Sequence, residues 1–113
     1  MDRVDREITV ARPPDEVWPA LADPERLGEW MDAEVELELR PGGGGSFRFD
    51  DGEVRRALVQ AVEPGRRLSF AWWPAGTGGA ATSTVTITLT PDDAGGTILR
   101  VRESRTGSLR AAA

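Results

Sequence analysis

Val4 to Trp30, VDREITVARPPDEVWPALADPERLGEW, decides the fold, because an alternating strand runs in it directly into two short helices. Arg6, Ile8 and Val10 fall on one face of the strand with Val4, and Asp5, Glu7, Thr9 and Ala11 fall on the other, the period-2 pattern of a half-buried strand. Pro13 and Pro14 end it. Pro14 suits a first helical position, where its missing N–H costs nothing, and Asp15 and Glu16 place negative charge at the positive end of the helix dipole. Val17, Trp18, Leu21 and Ala22 supply the apolar stripe. Pro19 lies inside this helix and removes one backbone hydrogen bond, so a short or kinked element of about two turns is expected. The next helix has Asp23 as N-cap, Pro24 in the first helical position and Glu25 in the first turn, with Leu27, Trp30 and Met31 as its buried face.

Outward from this stretch the pattern returns to period 2. In AEVELELR, Val35, Leu37 and Leu39 face one way and Glu34, Glu36 and Glu38 the other. Gly42 to Gly45 reads as a flexible hairpin connection, after which Phe47 and Phe49 point inward. The glycine run is not a phosphate loop, because it lacks the Gly-Lys-Ser/Thr ending and precedes a strand. VRRALVQAVE ends at Pro64-Gly65. RRLSFAWWP then places Leu68, Phe70 and Trp72 on one face and Ser69, Ala71 and Trp73 on the other. PAGTGGAAT is a small, glycine-rich loop, TSTVTITLT turns Ser83, Val85, Ile87 and Leu89 inward, and TILRVRES turns Leu99 and Val101 inward. About seven strands result, with two helices inserted after the first.

At 113 residues this is one domain. It has no run of about 18 apolar residues for a membrane span and no signal-peptide pattern at its start, so a cytoplasmic location is expected. The chain has no Cys, His or Tyr, and all 14 basic side chains are Arg. Cysteine and histidine nucleophile pairs, thiolate or imidazole metal sites, a Schiff-base lysine and a tyrosine acid are therefore excluded. Carboxylates alone remain for acid–base work near neutral pH. The net charge of −5 opposes a nucleic-acid groove. The pairs Arg55-Arg56, Arg66-Arg67 and Arg100-x-Arg102, set among glutamates, are expected to form cross-strand ion pairs on a solvated face.

The order of a strand, then A-x-P-x-x-x-V-W-x-x-L-x-D-P-x-x-L-x-x-W, resembles the START-like (SRPBCC) superfamily and, within it, the Hsp90-ATPase-activator-homologue group. RPGGGGSFRFDDG (Arg40 to Gly52) and VEPGRRLSFAWW (Val62 to Trp73) are similar to further motifs of that group, and the likeness spans roughly residues 4 to 104. It implies an α+β, helix-grip-like domain over residues 1–106: a curved antiparallel sheet around an apolar concave face, followed by a short tail at 107–113. In the resembling family a long C-terminal helix grips that face. Here only SRTGSLRAAA follows Glu103, so the grip helix is expected to be absent or vestigial. An uncovered apolar face is seldom tolerated, so a homodimer through the open sheet face, a more open cavity or an incomplete chain is expected.

The expected pocket lining is Trp30, Phe47, Phe49, Leu58, Phe70, Trp72, Val85 and Val101, apolar side chains gathered by strand phase, and Phe70→Arg is expected to abolish binding there. Trp18 is expected to serve as helix-to-sheet contact. Glu53 and Glu103 are the expected polar contacts, with Asp32 and Asp50 as outsiders. No catalytic residue, metal ligand or cofactor follows from the residues. The leading function is a module for a small hydrophobic molecule. The resemblance also implies two alternatives: a polyketide cyclase or dehydratase-like enzyme using a carboxylate, and a co-chaperone-like protein-interaction domain.

Overall fold

β1 (Arg3–Val10) leads through Pro13 into α1 (Pro14–Leu21) and α2 (Pro24–Met31) in the computed structural model, which describes residues 3–79 and 81–105. Then come β2 (Ala33–Leu37), β3 (Gly44–Phe49), β4 (Val54–Glu63), β5 (Arg67–Pro74), β6 (Ser83–Pro91) and β7 (Thr97–Arg105). The strands form one antiparallel sheet in the order β1-β7-β6-β5-β4-β3-β2. The sheet is a curled half-barrel of the helix-grip-like, α+β kind. Residues 106–113, on which the expectation about the grip helix rests, lie outside the described residues.

The helix signals act as their chemistry dictates. α1 has Pro14 in its first turn, Asp15 and Glu16 beside it and Pro19 inside, and it stops after eight residues. Asp23 caps α2 by accepting the Glu25 N–H. Asp32 ends it in the left-handed conformation, at φ 61°, so that a single residue separates helix from β2. That tight reversal lays α2 along β2. At Gly28 any Cβ would collide with the Ala33 carbonyl oxygen and lie 3.3 Å from a Val35 methyl.

One face of the sheet carries the core. Register places Phe47, Val59, Phe70, Val85, Ile87 and Leu99 on it, all buried, with Leu21 and Leu27 of the helices packed against them. Phe47 and Phe70 stack at 5.2 Å, and the Trp72 ring meets them edge-on at 5.1 and 5.5 Å. On the outer face Arg100 forms a two-pronged ion pair with Asp5 at 3.0 Å, and Arg67 meets Glu63 at 2.8 Å. The hydrogen bonds that Arg100 donates to Asp5, then the charge of Asp5, raise the Arg100 guanidinium above its already high pKa.

Two local expectations are corrected. The glycine run is not simply a flexible connection: Gly44 and Gly45 are residues of β3 and only Gly42 and Gly43 turn. At Gly45 the neighbouring backbone of Glu36 and Leu37 leaves no room for a side chain. In β4 the pairing with β5 slips between Val59 and Ala61, a bulge that brings Ala57, Val59 and Val62 to one face although their spacing is uneven. Leu58, expected to line the pocket, is therefore on the opposite, outer face and 44% exposed.

Candidate functional site

Trp30 is one helical turn beyond the buried Leu27, and at the end of α2 it comes out over the β1–β7 edge of the concave face. There it meets Ile8, whose inward position follows from the alternation of β1. These are two of the three large apolar side chains exposed among the described residues, at 42% for Trp30 and 45% for Ile8. Both line each of two adjoining cavities, as does Leu99. The first, of about 420 Å³, adds Arg6, Met31, Asp32 and Val101. The second, of about 370 Å³, adds side chains of α1, among them Val17, Ala20 and Leu21. Together they make an apolar groove walled by helices on one side and by β1 and β7 on the other.

Farther along the same face is a polar cluster. Glu103 is the next inward residue after Val101 on β7, and it accepts a hydrogen bond of 2.9 Å from the Trp72 indole N–H. Arg55 on β4 approaches the same carboxylate oxygen at 3.8 Å, donates from Nε to Glu53 at 3.0 Å and lies 4.7 Å over the Trp72 ring. Trp72 is buried, and Arg55 and Glu103 are partly so. Glu103 accepts from one donor, the Trp72 indole, and Arg55 links the two carboxylates by a hydrogen bond to Glu53 and a longer ion pair to Glu103. Glu103→Ala would strand the indole N–H and remove one partner of Arg55. It is expected to lower stability by about 1–2 kcal/mol in urea denaturation, whereas Glu103→Gln, which keeps an acceptor for Trp72, should cost about half as much.

The apolar residues expected from sequence divide into three groups. Phe47, Phe70, Trp72 and Val85 are buried in the sheet core beneath the helices, with Phe49 at its rim, 6.2 Å from the Trp72 ring. Trp30 and Val101 line the groove. Leu58 is on the other side of the sheet. Glu53 and Glu103 are brought together, and Arg55, which sequence analysis assigned to surface ion pairing, is what joins them. Sequence reasoning also missed Arg6, Ile8, Met31 and Leu99 as lining residues. The inward phase of Ile8 was the available signal.

A larger hollow, about 850 Å³, runs between α2 and the edge strand β2 and has a different character. Its walls carry Asp23, Glu25, Glu29, Glu34, Glu36 and Asp50 with no cationic side chain, and among the described residues no three carboxylates are placed to hold a metal ion. Charge of one sign along an open edge discourages other strands from pairing with it. Asp32 and Asp50 both border it. No helix among the described residues is long and apolar enough to cross a membrane.

Comparison with known proteins agrees with this architecture. The family model for activator of Hsp90 ATPase homolog 1-like protein matches residues 11–113. Among solved structures, protein MLL2253 from Mesorhizobium loti is 34% identical with a TM-score of 0.79, over 96% of this chain and 82% of that one. DynU16, a protein of the dynemicin biosynthetic locus, is 32% identical with a TM-score of 0.80; the match covers 99% of this chain but only 43% of DynU16. PFC0360w, an Hsp90 activator from Plasmodium falciparum, shares the fold at 17% identity, with a TM-score of 0.74 over 92% of this chain and 73% of that one. No curated protein matches the chain.

Proposed function

This chain belongs to the activator of Hsp90 ATPase homolog 1-like family, and from that premise we propose that it is a binding module for a small hydrophobic molecule, held in the groove between α2 and the β1–β7 edge. The observation that carries the proposal is the shared exposure of Ile8 and Trp30 over two adjoining cavities. Exposed apolar side chains scattered singly need no explanation, but two that line one groove, with Met31, Leu99 and Val101 beside them, form a surface that gains by being covered. A volume of about 420 Å³ in the first cavity is within the usual range for small-molecule sites, about 300–1,000 Å³. Leu99 and Val101 form its β7 wall, whereas Phe47, Phe70, Trp72 and Val85 belong to the core and the Glu53–Arg55–Glu103 cluster lines neither cavity. The module needs no catalytic group.

The test is titration with a neutral apolar dye, N-phenyl-1-naphthylamine, combined with native mass spectrometry. The expected result is saturable binding at one site per chain, weakened about tenfold or more in Trp30→Ser. That factor corresponds to losing ~60 Å² of apolar contact at ~25 cal/mol per Å². Because Trp30 is partly exposed, the variant should melt within a few degrees of the parent. A native monomer that leaves the dye free would overturn the proposal. A dimer that excludes the dye, and that Trp30→Ser dissociates, would make a second copy of this chain the occupant.

A further inference from the structure

Arg6 is out of keeping with the apolar groove it lines. It points to the inner face of β1, opposite Val101, and borders the first cavity with Ile8, Trp30, Met31 and Leu99. Its sequence neighbours Asp5 and Glu7 alternate to the outer face, where Asp5 is taken by Arg100 and Arg102. Other arginines near the groove are also engaged: Arg12 with Glu16, and Arg55 with Glu53 and Glu103. Among the described residues Arg6 has no ion pair, and Asp32, on the other rim of the same cavity, does not come within 4 Å of it. A guanidinium thus stands with no ion-pair partner among the described residues at the side of an apolar channel, its one facing carboxylate being Asp32 on the opposite rim.

Resting on the binding function proposed above, we infer that the ligand is an amphipathic monoanion, its apolar body over Ile8, Trp30 and Leu99 and its carboxylate, or a group of the same charge and shape, on Arg6. Guanidinium suits this role because its planar fork meets a carboxylate in a two-pronged bond, which fixes orientation as well as adding attraction. The net charge of −5 repels anions in general, so affinity for one has to come from a local cation, and that makes the contribution of Arg6 separable. Asp32 opposes it across the cavity, which favours a single negative charge kept on the β1 side.

Isothermal titration with decanoate and with 1-decanol, below the concentrations at which either self-associates, tests this inference. In the unaltered protein the acid should bind about fivefold more tightly than the alcohol, a factor suited to an exposed but two-pronged ion pair, and the preference should shrink as salt is raised. Arg6→Gln should abolish the preference, weakening decanoate about fivefold relative to decanol, with the melting temperature within a few degrees of the parent. Asp32→Asn should tighten decanoate about twofold relative to decanol by removing a like charge. Equal binding of acid and alcohol to the unaltered protein would overturn the inference and leave the groove standing, as would a preference that survives Arg6→Gln. Failure of both decanol and the neutral dye to bind would overturn the groove itself.

Discussion

Phe70→Arg is expected to unfold the protein rather than leave a folded domain with a blocked cavity. Sequence alone places Phe70 in a pocket, where an arginine would compete with ligand, but the side chain has no exposed surface. It stacks on Phe47, meets Trp72 edge-on and sits between Val59 and Val85 on the neighbouring strands. Removing the ring alone, in Phe70→Ala, should cost about 3–5 kcal/mol, from lost transfer energy and the cavity left behind. A guanidinium there adds the cost of burying an unpaired charge, since Phe47, Trp72, Val59 and Val85 offer it no carboxylate. Domains of this size have about 5–15 kcal/mol in hand, so the arginine variant should be largely unfolded at 25 °C and the alanine variant marginal. Far- and near-ultraviolet circular dichroism with urea titration reads this directly. A native spectrum for Phe70→Arg would mean that Phe70 opens onto space that the structure does not show. The contrast with Trp30→Ser separates core from groove, because one should take away the fold and the other only the binding.

That contrast also marks where sequence is informative. The strand phases of β1, β6 and β7, the proline and aspartate signals of α1 and α2, and the inward set Phe47, Phe70, Trp72 and Val85 are local properties, carried by neighbours a few residues apart. Leu58 was misplaced because VRRALVQAVE carries two competing apolar series, one through Val54, Leu58 and Val62 and one through Ala57, Val59 and Ala61. A bulge at Gln60 lets the buried set change series midway, and nothing in composition announces it. The groove and the polar cluster are not local at all. Arg55 and Glu103 come together across β4 and β7, strands separated in the sheet by β5 and β6, so only the curl of the sheet brings their side chains within reach. Whether an inward aromatic becomes floor or wall depends likewise on where α2 lies. Leu27 of α2 joins Phe47 in the core, while Trp30, one turn later on the same helix, stays half open.

Gly45→Val should damage that same arrangement from the other side of β2. Gly45 is opposite Leu37 in register, and a Cβ there would strike the Glu36 carbonyl oxygen and lie 2.7 Å from the Leu37 Cα. These are main-chain atoms, so no rotamer change can relieve the overlap and β2 itself has to move. β2 is an edge strand, hydrogen-bonded only to β3 within the sheet, and α2 lies along it. Overfilling a tight site costs about 1–3 kcal/mol, and a branched side chain against rigid backbone belongs at the upper end. The urea midpoint should fall by roughly 1–3 M if the dependence on urea is of the order of 1–3 kcal/mol per M. Because β5, β6 and β7 do not depend on this contact, hydrogen exchange should speed up first in β2, the start of β3 and α2, and remain slow in the central strands. Loss of β2 would also displace Trp30, Met31 and Asp32 at the end of α2, so dye binding in the groove should weaken even under conditions where the sheet survives. An unchanged midpoint with unchanged exchange in β2 would show that the two strands can separate without cost, and would remove the steric requirement for glycine at this position. If exchange quickens but binding holds, the groove's helical wall is anchored by α1 and the core rather than by β2.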